Sequence, residues 1–148
     1  MESIYDHAGG TAALRHFVDL FYSSVLADDL LKPLFGAGRP EHVDHLTEFE
    51  AESFGGPDDF TRQLGFRHPI DVHRGLKITE EQRQRFVALY LAAADAAGLP
   101  GDPPFRDALR SHVEFGSHVA MQNSHAESEE QLHPLRAVPK WDWEPGDG

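Results

Sequence analysis

The sequence predicts an all-α fold, and three observations carry that expectation. Apolar residues recur at three- and four-residue spacing in several stretches, the period of a helix with one buried face. Cap and stop residues bracket those stretches, as with Thr79 and Gln82, or Asp102 and Pro103. No stretch alternates apolar and polar residues as a half-buried strand would.

Taken in order, the first helical turn is expected at Ser3 to His7, with Ser3 as cap, and Gly9-Gly10 breaks it. Thr11 is expected to cap a long helix reaching about Ala27. Leu14, Phe17, Val18, Phe21, Tyr22, Val25 and Leu26 form its apolar stripe. Tyr22 lies in that stripe, so its hydroxyl points inward and needs a partner. Asp28-Asp29 opens a short helix ending near Phe35-Gly36. Pro40 suits the first position of the next helix, which runs to about Phe54 with His42, Leu46, Phe49 and Ser53 on one face. Phe54-Gly55-Gly56-Pro57 stops it. From Asp58 to Leu76 the periodicity fades, and mostly loop is expected, with single turns after Asp58 and around Asp71.

Thr79 to Gln82 reads as a capping box opening a helix that ends at Gly98. Asp102, Pro103 and Pro104 start the last helix. Phe105, Leu109, His112, Val113, Gly116, Val119 and Ala120 line its inner face out to about Asn123, with Arg106 and Arg110 outside. Residues 1–124 are thus expected to form one domain and 125–148 a C-terminal extension, partly extended or loose. Pro134 and Pro139 bar a helix there, Trp141 and Trp143 are suited to pin it to the body or to a neighbour, and residues 144–148 are expected to be loose.

Composition narrows the function. A chain of 148 residues can bury one core. Its net charge of −12 repels phosphates, which argues against nucleic acid and anionic membranes as partners. It has no apolar run of membrane-spanning length and no secretion-signal pattern at Met1 to His7. Cysteine is absent, which removes disulfides, thiolate metal sites and cysteine nucleophiles, and suits a reducing cytoplasm.

One stretch, Arg67 to Ile78, stands apart. Arg67, Arg74 and Lys77 gather around His73 in an acidic chain, with Val72, Leu76 and Ile78 beside it. An imidazole against an apolar wall with cations nearby is what a haem requires: a ligand for iron, contacts for the porphyrin, and partners for two propionates. Tyr22, His42 and Leu46 make a second set, on the inner faces of two other helices. A non-haem metal held by His42, His45 and His73 is the weakest reading, since no inward carboxylates accompany them.

At these residues the sequence resembles a family. Gly9-Gly10 precedes the first long helix, and Phe21-Tyr22 lies inside it. Phe54-Gly55-Gly56-Pro57 closes the third, His68-Pro69 leads to His73, and Gly116-Ser117 to Asn123-Ser124 continue the last. In this order and at these intervals they look like a truncated haemoglobin, closest to the second group, over about Ile4 to Ser124. The resemblance implies a two-over-two helical sandwich holding haem b (iron protoporphyrin IX). It implies His73 as the iron ligand, Tyr22 as the tyrosine that hydrogen-bonds the bound diatomic ligand, and Phe35 as the aromatic on the haem. His42 and Leu46 match the distal-helix positions facing the ligand. Phe86 stands where this group usually has tryptophan, which removes one N–H donor. Val72 stands where an arginine often meets a propionate, so Arg67, Arg74 or Lys77 is expected to serve.

The function expected is binding of dioxygen and other diatomic ligands, with peroxidase or nitric oxide detoxifying activity and a reductase partner compatible with it. His42 has two open roles, donor to the ligand or sixth iron ligand. The rival is a haem-free helical sensor or interaction module. Oligomeric state is open.

Overall fold

The computed structural model describes residues 2–143. Its helices are α1 (Ile4–Ala8), α2 (Gly10–Ala27), α3 (Lys32–Phe35), α4 (Pro40–Ser53), α5 (Asp59–Gln63), α6 (Arg67–His73), α7 (Glu80–Ala96) and α8 (Pro103–His125). A short 3-10 turn, Glu129–Gln131, follows. Among the described residues there is no strand. No helix is long and apolar enough to cross a membrane. Four long helices carry the body: α2 packs on both α4 and α7, and α7 packs on α8. The short α6 lies against α8 instead.

Local chemistry accounts for most boundaries. Ser3 caps α1 by accepting from the Asp6 N–H at 3.0 Å. Thr79 and Gln82 form the full reciprocal capping box of α7, and Asp102 accepts from the Phe105 N–H to cap α8. The expected cap at Thr11 is corrected. The helix α2 begins two residues earlier than a Thr11 cap would set it, at Gly10, with Gly9 as cap at φ +109° turning the chain. The Thr11 hydroxyl is engaged by Tyr5 Oη at 2.5 Å instead.

The segment 58–76 is likewise not mostly loop: it holds α5 and α6. Pro69 does not keep His68 out of the helix. It sits third in α6, within the first turn, where a missing N–H breaks no intrahelical bond. The seven residues of α6 are too few for a periodic pattern to rise above the loop composition around them.

The core centres on aromatic edges. Tyr90 meets Phe17 at 4.8 Å and Phe21 at 5.4 Å between ring centroids, and Phe86 meets Phe21 at 4.9 Å, all near perpendicular. Tyr90 donates to buried Glu50 at 2.8 Å. Glu50 in turn stands 3.4 Å from His112 Nδ1, a close approach short of a full hydrogen bond. Ser53 Oγ lies 2.9 Å from His112 Nε2 and donates to the Pro139 carbonyl at 2.5 Å. Because the serine proton is committed to that carbonyl, His112 Nε2 must be the donor to Ser53, and its Nδ1 lone pair faces Glu50. A carboxylate would repel that lone pair, whereas a neutral carboxyl does not. Burial pushes Glu50 up to about 8 and His112 down to about 3, so both are neutral at intermediate pH.

These two shifts set a pH profile. Glu50 keeps its proton in the folded chain but loses it above 4.5 when unfolded, so its contribution to stability falls as pH rises towards 8. His112 is neutral when folded but takes a proton below 6.5 when unfolded, so its contribution falls as pH drops towards 3. Between 4.5 and 6.5 the two slopes cancel. Urea unfolding followed by circular dichroism is expected to show a loss of about 1–2 kcal/mol from pH 6.5 to 8. Glu50→Gln should flatten the alkaline limb relative to wild type; an equal slope in both would assign the loss to other groups.

Candidate functional site

The site is built where α4 and α6 approach each other. His45 of α4 and His68 of α6 meet at 5.5 Å between ring centroids. Below them, His73 of α6 shares an apolar cavity with Phe49 of α4 and Val119 of α8. Phe49 lies on the same α4 face as Leu46 and His42, two turns along. The cavity wall is therefore continuous with the helix face that carries His42.

His73 closes α6 as its last residue. Its Nδ1 donates to the Pro69 carbonyl at 2.6 Å. That bond fixes the tautomer, leaves the Nε2 lone pair for a metal, and sets the ring's rotation. Burial lowers the pKa of His73, which favours the neutral, ligating form.

Tyr22 and His42 are brought together. Tyr22 Oη lies 2.5 Å from His42 Nδ1 and accepts from the Arg39 N–H at 3.1 Å. Burial lowers the pKa of His42, so the neutral ring has one donor nitrogen and one acceptor nitrogen. The pair thus has two proton arrangements. Tyr22 donates to His42 Nδ1 and His42 Nε2 carries the proton, or His42 Nδ1 donates to Tyr22 and the phenol proton is free to point elsewhere. Phe35 stands edge-on to Tyr22 at 6.0 Å. Leu46 and Phe86 are half-buried against the core.

Gly38 makes the Tyr22 contact sterically feasible. It has φ +77°, and a Cβ there would stand 2.9 Å from Tyr22 Oη and 2.7 Å from Leu26 Cδ1. Only glycine lets the chain pass so close and aim the next N–H at the phenol.

The three cations singled out from the sequence have carboxylate partners. Arg67 pairs with Asp71 at 2.9 Å and with both oxygens of Glu129, at 2.6 and 3.0 Å. Arg74 lies 3.4 Å from Glu129, and Lys77 lies 3.9 Å from Glu127. Sequence reasoning did not find the pairings with Glu127 and Glu129, nor the His45–His68 contact, because their partners lie on separate elements; Arg67 and Asp71 are four apart on α6 and escaped notice because that stretch reads as loop. The Pro69 carbonyl was within reach, since four residues separate it from His73, had that stretch been read as helical. Among the described residues, no group of three or more histidine, aspartate or glutamate side chains is disposed to hold a metal ion. The parts are those a flat group bound through one imidazole would use: His73 with a fixed tautomer on an apolar wall, and the Tyr22–His42 pair, which stands outside that cavity's lining.

Comparison with known proteins agrees with this geometry. The family model described as bacterial-like globin matches residues 3–123. The group 1 truncated hemoglobin GlbN of Nostoc sp. (strain MUN 8820) is 30% identical over 102 residues, covering 68% of this chain and 80% of that protein. The group 2 truncated hemoglobin YjbI of Bacillus subtilis (strain 168) is 29% identical over 120 residues, covering 80% and 88%. The crystal structure of the hemoglobin of Chloroflexus aurantiacus superposes with a TM-score of 0.73 at 30% identity, over 82% of this chain and 98% of that one. The chain belongs to the bacterial-like globin family, and is similar to both group 1 and group 2 truncated hemoglobins within it.

Proposed function

We propose that this globin holds haem b (iron protoporphyrin IX) with His73 on the iron, and binds dioxygen or another diatomic ligand beside Tyr22 and His42. The observation that carries this reading is the His73 Nδ1–Pro69 bond, at 2.6 Å. It fixes the tautomer that leaves the Nε2 lone pair without a proton, on a ring that lines the apolar cavity. When bound, the haem supplies an open iron coordination position and a redox couple.

The chain's own residues do the rest. His73 sets the proximal ligand field, and its backbone acceptor raises the basicity of the imidazole. Leu46 and Phe35 exclude water from the distal side. Tyr22 and His42 share protons, so one of them always has an N–H or O–H to offer an incoming polar diatomic. Their mutual bond holds that donor in place before the ligand arrives, which lowers the entropy cost of using it. Phe86 adds apolar contact without a donor. The same donor pair suits peroxide cleavage and nitric oxide removal; the first would draw its electrons from a reducing substrate, and the second would need a reductase to restore ferrous iron. We place the protein in the cytoplasm on the absence of cysteine.

Two experiments test the reading. The reconstituted wild type is expected to show a Soret band, and His73→Gly to retain haem at least about tenfold more weakly. A folded wild type without a Soret band would leave the haem-free interaction module, and an unchanged His73→Gly spectrum would move the iron ligand elsewhere. Tyr22→Phe removes one donor and leaves the His42 ring and the Arg39 N–H without their partner. Its dioxygen dissociation rate, by stopped flow, is expected to rise about tenfold, equivalent to ~1.4 kcal/mol. An unchanged rate would assign the donor role to His42 alone.

A further inference from the structure

We propose that the C-terminal segment 126–143 is a strap that positions the iron ligand, holding α6 in place and completing the wall that His73 faces. This inference rests on His73 being the proximal ligand.

The first support is packing. Ile70 of α6 is buried, and its cluster is separate from the main core. It consists of Ile70, Ala126 and Leu132, with Phe66 against them. Two of those four residues belong to the extension, so the hydrophobic seat of α6 is largely the strap itself. Leu135 and Pro139, also of the extension, line the same cavity as His73.

The second support is polar. One carboxylate, Glu129, reaches both ends of α6: Arg67, its first residue, and Arg74, just past its last. The turn out of α6 hangs on the end of α8. The N–H groups of Gly75 and Lys77 donate to the Ser124 carbonyl at 3.1 and 3.3 Å. The Ile78 N–H donates to Ser124 Oγ at 2.9 Å.

The third support is that the strap is fastened beyond α6. The Trp141 N–H donates to the Ser53 carbonyl at 2.6 Å. Lys140 reaches buried Glu52 at 3.0 Å. Trp143 Nε1 donates to the Glu2 carbonyl at 2.8 Å. A segment held at both ends can fix what lies beneath its middle, and beneath its middle lies the helix that ends in His73. Glu129 and Leu132 are therefore positioning residues, acting on the iron through α6.

Arg67 and Arg74 are the cations a propionate would otherwise use, so a competing account makes a distinct prediction. If Glu129 merely blocked them, removing its charge would slow haem loss. The full-length variants Glu129→Gln and Leu132→Ala, and the two combined, are reconstituted and compared with wild type. Haem transfer to an excess of apomyoglobin is expected to speed up about tenfold in the double variant. The iron–histidine stretching band of the ferrous, ligand-free protein should shift or broaden, which a loss of overall stability alone would not produce. Amide hydrogen exchange over 70–73, measured without haem, should accelerate more than exchange in α2. Unchanged or slower haem transfer with an unmoved stretching band overturns the proposal. A wild type that takes up no haem, while 70–73 exchange responds as expected, sinks the haem reading and leaves the strap standing on α6.

Discussion

The structure depends on one hydrogen bond from a ring nitrogen to a backbone oxygen, His73 Nδ1 to the Pro69 carbonyl. It requires the last four residues of α6 to be helical, because only a helical turn stacks residue 73 over residue 69. It also decides which nitrogen keeps its lone pair, on a ring that lines the cavity. A seven-residue helix cannot supply its own stability, since the cost of nucleating a turn is spread over too few bonds. The turn must be held from outside, by packing of Ile70 against Ala126 and Leu132 and by contact with α8. The direction of one lone pair thus traces to side chains some fifty residues later in sequence.

The distal side follows a different logic. Tyr22 and His42 sit on long helices whose positions the main core secures, so their approach needs no strap. What it needs is room, and Gly38 supplies it. The Tyr22 hydroxyl meets one backbone donor and one imidazole, so it accepts from Arg39 in either proton arrangement of the pair. The site therefore joins a rigid distal pair to a proximal helix of marginal intrinsic stability.

Legibility in the sequence divides along the same line. The long helices, their caps and the inward face of Tyr22, His42 and Leu46 could be read from spacing, because periodicity accumulates over many turns. The boundaries of α4 and α7 follow from Pro40 and from the Thr79–Gln82 box. Thr11 misled because two adjacent glycines allowed the turn to be completed two residues earlier. The segment 58–76 misled because α5 and α6 are shorter than two turns, and a proline that interrupts a helix interior is harmless in its first turn. The roles expected of Arg67, Arg74 and Lys77 rested on sequence proximity to His73, and sequence proximity is silent on Glu127 and Glu129, which return from the extension to meet them.

Two neighbouring buried glutamates show how much the extension changes local chemistry. Glu50 and Glu52 lie two residues apart on α4, and both are nearly inaccessible to water. Burial raises the pKa of each, yet the outcomes diverge. Glu50 finds one hydroxyl donor, from Tyr90, and stays protonated up to about 8. Glu52 finds the Thr61 N–H, the Thr61 hydroxyl and Lys140. Those donors outweigh desolvation and hold its carboxyl below the ordinary range. One of its partners, Lys140, comes from the strap. The Ser53 side chain between them donates to Pro139, also of the strap. Displacing the extension would therefore strip Glu52 of Lys140, its one cationic partner among the described residues, while it remained buried, and would free the serine proton whose place fixes the tautomer of His112. Leaving a buried carboxylate without its cation is costly, so the strap is held down by the charge it neutralises as well as by its tryptophans. The same segment that seats α6 at its middle thus resists lifting at its far end.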